Sequence, residues 1–154
     1  MSLRTTLSDA LADTSDDGTL LVVSDSHVGS SLAAELASRT DVHLLTDHDG
    51  VAGQAPDAVQ VTVGDLRSPE TLATATGATA AVVALRRDRA AVLVTQLLRT
   101  HLGLEDIVTV INDPQRHDAF DGLARTTVCG SSVLAAELRR TAESVLPTYE
   151  PQTE

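Results

Sequence analysis

Six short aliphatic runs, each followed by a stretch of helical periodicity, dictate most of what this chain can become. The runs are TLLVVS at 19–24, DVHLLT at 41–46, DAVQVTV at 57–63, AAVVAL at 80–85, DIVTVI at 106–111 and TTVC at 126–129. Runs of this length, bounded by Gly, Pro, Ser and Asp, read as strands rather than helices. Most are apolar almost continuously instead of alternating, as expected of strands covered on both faces in a parallel sheet. Helices are predicted at 28–39, 69–76, 88–102, 114–123 and 131–146. Strand and helix taking turns in this way predicts an α/β fold: a doubly wound parallel six-stranded sheet of order 3-2-1-4-5-6.

The helix boundaries carry their own chemistry. Ser68-Pro69-Glu70 offers an N-cap, a proline in the first turn and an acid where the helix dipole favours it, and Asp113-Pro114 repeats the device. Gly77, Gly103 and Gly122 stand where helices should stop, as left-handed terminators do. The domain is expected over 19–146. Residues 1–18 read as a short amphipathic helix, with Leu3, Leu7 and Leu11 at a spacing of four, followed by an acidic linker; 147–154 read as a polar, proline-broken, disordered tail.

Charge narrows the partners. Twenty-two acidic residues face 11 basic ones, for a net charge of −11, and every basic residue is Arg; no Lys occurs. Nucleic acid is excluded as an expected partner because such a surface repels phosphate. The Asp-rich, Lys-free composition resembles that of proteins from salt-loving archaea, whose self-repulsion molar salt would quench. No apolar run approaches the roughly 18 to 20 residues that cross a bilayer, and no secretory leader is evident, so the expected location is the cytoplasm without membrane insertion. Cys129 stands alone, which rules out an internal disulfide; it is expected as a small buried hydrophobe, and no Cys/His spacing suggests a metal site.

The first strand runs into Ser24-Asp25-Ser26-His27-Val28-Gly29, where a dinucleotide-binding Gly-x-Gly-x-x-Gly loop would lie, and Asp47 closes the second strand about 20 residues on. In that fingerprint the first two glycines admit the tight turn and the pyrophosphate, and the third lets helix pack on strand. Here the positions read Ser24, Ser26 and Gly29, so only the packing glycine remains. A Cβ in the turn, a hydroxymethyl facing the pyrophosphate and the charge of Asp25 all weigh against binding, although the hydroxyls can donate to an anion. Asp47 reads either as a ligand of ribose hydroxyls, favouring NAD or an adenine nucleotide over NADP, or as a solvated turn acid. His27 reads as a phosphate contact or a solvated helix start.

Four further stretches carry a resemblance. VGDLRSPETL at 63–72, AAVVALRRDRAAVLVTQLLR from 80, VTVINDPQRHDAF from 108 and TTVCGSSVLAAEL from 126 resemble, in order and spacing, the later strands and helices of the RCK/KTN (TrkA N-terminal) domains that regulate potassium channels and Trk-type transporters. The resemblance spans Thr19 to Glu143 and implies a Rossmann-like fold. It implies that Ser24, Ser26 and Gly29 line the phosphate loop, Asp47 the ribose, Asp65 and Leu66 the adenine edge, and Leu85 and Arg86 the mouth beyond the fourth strand. Read alone, Asp65 is a turn carboxylate, and Arg86, Arg87 and Arg89 are a solvated cluster. The sequence departs from the family at Ala91, where many relatives have Asn. Leu85, Val110 and Asn112 stand where calcium-gated relatives carry acids.

The expected function is therefore a regulatory, non-enzymatic domain that binds NAD or an adenine nucleotide and signals to a membrane potassium transporter or channel subunit, as a homodimer or higher oligomer. The broad apolar stripe of 90–102 offers a pairing face. Two alternatives stand beside it: a degenerate, ligand-free Rossmann scaffold acting by protein contact, and an NAD-dependent oxidoreductase, for which no proton relay or nucleophile setting is evident.

Overall fold

The computed structural model describes residues 18–147; the helix expected around Leu3, Leu7 and Leu11 and the tail from residue 148 onward lie outside the described residues. The strands are β1 Thr19–Ser24, β2 Asp41–Thr46, β3 Gln60–Val63, β4 Ala78–Ala84, β5 Ile107–Ile111 and β6 Thr126–Cys129. They form one sheet in the order β3-β2-β1-β4-β5-β6, and every pairing is parallel. The helices are α1 His27–Leu36, α2 Asp49–Ala52, α3 Pro69–Ala73, α4 Asp88–Leu102 and α5 Gly130–Val145, with a 3-10 helix at Pro114–Phe120. The Rossmann-like fold read from the sequence is the fold observed.

Alternation along the central strands builds two cores. Leu21 and Val23 of β1 join Val83, Val94, Leu98, Ile107 and Phe120 on the α3/α4 side, whereas Leu20 and Val22 join Ala33, Leu36, Leu44 and Val51 on the α1/α2 side. Both faces being covered explains why the strands lack polar alternation. Among the polar residues buried on the strands, His43 on β2 is 2% exposed, its Nε2 lies 2.8 Å from Thr62 Oγ1, and burial lowers its pKa from the ordinary histidine value.

Several boundaries differ from expectation for identifiable reasons. β3 begins at Gln60 rather than residue 57, because Val59 N–H bonds back to Pro56 O in a turn. β4 begins at Ala78, ahead of the expected residue 80, and accommodates Thr79 as an extra residue where the register with β1 shifts. α3 ends at Ala73 because the following amides of Thr74, Ala75 and Thr76 bond three residues back, tightening the last turn. The segment from Pro114 is a 3-10 helix rather than an α-helix, and Asp113 caps it by accepting from Gln115 N–H. α2 was not anticipated; His48 Nδ1 accepts from Gly50 N–H at its start. Gly77, Gly103 and Gly122 all have positive φ, as their terminating positions require.

Candidate functional site

The loop between β1 and α1 is closed on itself. Ser24 is fully buried; its hydroxyl donates to Ala84 O at 2.8 Å and so ties the carboxyl end of β1 to that of β4, and it accepts from Ser26 N–H at 3.3 Å. The side chain therefore lies beneath the loop, pointing into the sheet. Gly29 sits against it: a Cβ on Gly29 would meet Ser24 Cβ at 2.2 Å. The two positions divide one small volume, Ser24 filling what Gly29 leaves vacant. Ser26 is the N-cap of α1 but makes no side-chain cap bond, and the first turn holds no acid. His27 and Val28 are exposed there, so the amides that open α1 meet the surface with their dipole uncompensated by a carboxylate.

Beside this helix start, a cleft of about 540 Å³ opens at the carboxyl ends of the central strands. Asp25 after β1, Asp47 after β2, Asp65 and Leu66 after β3, and Leu85 and Arg86 after β4 all line it. Six of the residues singled out from the sequence thus meet in one place, while Ser24 and Gly29 lie under the adjoining loop. Asp25 Oδ1 accepts from Arg86 N–H at 3.1 Å, linking loops 61 residues apart. Asp65 Oδ1 accepts from Arg67 N–H at 3.0 Å and lies 3.8 Å from Arg67 Nε. Asp47 is exposed at its rim. Leu66 and Leu85 are buried and supply an apolar floor, so the cleft combines carboxylates suited to a diol with an apolar strip suited to a planar ring.

The sequence reading gave Arg87 and Arg89 only as part of a solvated cluster and did not bring them, with Ala90, Leu93 and Val94, to the α4 side of this cleft. The signal was present in the four-residue spacing of Arg89 and Leu93, which places both on one helix face. Also missed was a latch at the next crossover. Asp88, 7% exposed, accepts from Asn112 N–H at 2.8 Å through Oδ1 and from Asp113 N–H at 2.9 Å through Oδ2. Asn112 Nδ2 returns bonds to Leu85 O at 3.0 Å and Arg86 O at 2.9 Å. One carboxylate and one carboxamide thereby fix the loops after β4 and β5 against each other.

Cys129 corrects an expectation: it is half-buried at the N-cap of α5 rather than enclosed, and the hydroxyls of Ser131 and Ser132, at 3.3 and 3.2 Å, lower its pKa. His117, Asp118 and Asp121 bring ligand-type atoms within 4.8 Å of one another, all exposed. Their spacing matches no pattern sought in the sequence.

Comparison with known proteins settles the lineage. The model of the TrkA-N domain matches residues 20–130. The chain belongs to the TrkA-N domain family. No curated protein matches the sequence. Among solved structures, this TrkA-N domain is similar to the NAD(P)-binding domain of an exopolyphosphatase-related protein from Archaeoglobus fulgidus, at TM-score 0.68 and 14% identity over 82% of this chain and 98% of that one. It is similar to the GsuK channel bound to NAD, at TM-score 0.66 and 19% identity; 82% of this chain is covered, but only 23% of the channel chain. The TrkA-N domain of the inner membrane protein YbaL from Escherichia coli aligns at TM-score 0.63 and 18% identity, over 86% of this chain and 98% of that domain. Identities this low establish a common fold.

Proposed function

We propose that this TrkA-N domain is a regulatory module that binds an adenine nucleotide or NAD and relays its occupancy to a potassium channel or transporter, from the cytoplasmic side and as an oligomer. The observation that carries the reading is the meeting of Asp25, Asp47 and Asp65 with Leu66 and Leu85 in one cleft beside the start of α1. In the proposed mode Asp47 takes the ribose hydroxyls, Leu66 and the Asp65 turn take the adenine, and the phosphates face Ser26, His27 and the first amides of α1. The similarity to an NAD-bound channel and to an NAD(P)-binding domain supports both halves of the proposal. Catalysis forms no part of it, because binding and release at such a cleft suffice to shift a partner's equilibrium.

One observation favours the ligand-free scaffold as a second reading: the Ser24 hydroxyl closes the loop with bonds to Ala84 and Ser26, so the turn is stable without a phosphate. Calorimetry with NAD, NADH, ATP, ADP and AMP decides between the two. The nucleotide reading expects at least one of them to bind, with Asp47→Ala weakening it about tenfold or more through loss of a charge-assisted contact. Absence of binding by all five would leave the scaffold.

A further inference from the structure

In a chain with a net charge of −11, four of the 11 basic residues gather at one mouth. Arg86, Arg87, Arg89 and Arg116 line a hollow of about 440 Å³ at the carboxyl ends of β4 and β5, together with Asp88, Asn112 and Asp113. Arg86, Arg87 and Arg89 also line the nucleotide cleft, so the two hollows adjoin. All four guanidinium-bearing residues are exposed. Among the described residues Arg86, Arg87 and Arg89 form no ion pair, and Arg116 has only a half-exposed contact, 3.7 Å from Asp113.

Three acids beside the arginines accept backbone amides. Both oxygens of Asp88 accept backbone amides of the β5 loop, Asp113 accepts from Gln115 N–H, and Asp25 holds Arg86 by its backbone. The 15-residue helix α4 starts at this mouth with Arg87 as an N-cap that makes no side-chain bond, and Asp88 is the acid of its first turn. Neighbouring guanidinium groups left unpaired repel one another, and a multivalent anion removes that repulsion while accepting several forked hydrogen bonds.

We propose that this mouth binds an oligophosphate, a linear anion of two or more phosphoryl groups. The chain length follows from the number of forks: four guanidinium groups around two adjoining hollows offer more donors than the oxygens of a single phosphate accept. A long nucleic acid does not fit, because the acidic remainder of the surface repels it. The phosphoryl groups come either from a free oligophosphate or from the tail of a nucleotide seated in the cleft. The mouth shares Arg86, Arg87 and Arg89 with the nucleotide cleft but uses none of Asp47, Asp65 or the α1 loop, so its free-anion form does not rest on the nucleotide reading and its nucleotide-tail form does.

The test is calorimetry of the full chain with sodium tripolyphosphate at low ionic strength, for wild type, Arg87→Ala/Arg116→Ala and, as a charge-matched control on the exposed face of α5, Arg139→Ala/Arg140→Ala. Wild type is expected to bind, the mouth variant about tenfold or more weakly, and the α5 variant within a small factor of wild type. Unchanged melting temperatures would show that the exposed arginines are not needed for folding, and Arg87→Lys/Arg116→Lys should restore only part of the affinity, because an ammonium lacks the fork. No binding by wild type, or equal binding by the mouth variant, overturns the proposal. A gain of ATP over AMP that the mouth variant abolishes identifies a nucleotide tail as the source; tripolyphosphate binding undiminished by saturating AMP identifies a free anion. Tripolyphosphate binding with no response to any nucleotide would remove the nucleotide reading and leave this one intact.

Discussion

Helices α4 and α5 are nearly the same length, 15 and 16 residues, and both are amphipathic, yet they meet opposite fates. α4 buries Ala91, Val94, Thr95 and Leu98 against the β4/β5 side of the sheet, with Thr95 Oγ1 lying 3.1 Å from Thr109 Oγ1. α5 buries no residue, and its Val133, Leu134, Leu138 and Val145 are exposed. The difference lies in the sheet rather than in the helices. α4 follows β4, which has strand neighbours on both sides, while α5 follows the edge strand β6, whose four residues are all half-buried. A helix's apolar stripe is written in its own sequence; whether it becomes core depends on how much sheet its preceding strand provides.

Truncations in the two helices test this contrast directly. Leu98→Ala is expected to cost about 2–5 kcal/mol in chemical denaturation, because Leu98 is fully buried and its removal leaves a cavity. A loss below about 1 kcal/mol would show that α4 is not the anchored helix it is taken to be. A smaller effect is expected at the other end of the buried region. Gly29→Ala should destabilise by about 1–3 kcal/mol through overpacking against Ser24, and adding Ser24→Gly should recover much of that loss even though it gives up the bond to Ala84 O. Failure of the second substitution to help would mean that the two positions do not share their space. The smallest effect belongs to α5: Leu138→Ala, at a residue 58% exposed, should change stability by no more than about 0.5 kcal/mol. A larger loss would reveal that α5 is buried in solution, and concentration dependence of the melting transition would then show whether a second chain covers it.

The same contrast explains what the sequence could and could not disclose. The strands were legible because runs such as LLVV and AAVVAL owe their composition to burial on both faces, a local signature. The helix ends were legible where a single residue decides them, as at Gly103 and Asp113. Ser68 shows the limit, being at the expected N-cap without making the bond that its type suggests. The cleft was half legible: Asp25, Asp47 and Asp65 could be placed by their distance from strand ends, which fixes them at one edge of the sheet. The orientation of Ser24 into the sheet was not legible, since it depends on a carbonyl 60 residues away on β4. Nor was the arginine mouth, where Arg116 joins Arg86, Arg87 and Arg89 only because the Asp88–Asn112 latch sets two loops side by side.

The place of β1 in the sheet has a consequence for how the chain comes to be folded. Among the described residues β1 is the first strand in sequence, yet it lies third in the sheet, flanked by β2 and β4. As the polypeptide lengthens, one flank of β1 can be occupied once β2 is available, but the other waits for Ala78–Ala84, about 60 residues after Thr19. Until then Leu20, Leu21, Val22 and Val23, all buried in the finished domain, belong to an open ribbon with unpaired amides. Such an interval favours mispairing with other nascent strands, and closing it requires a non-local step that is intrinsically slow. Ser24 bonds across that closing seam, so the residue that takes the place of a phosphate-loop glycine can make its bond only once β1 and β4 have met.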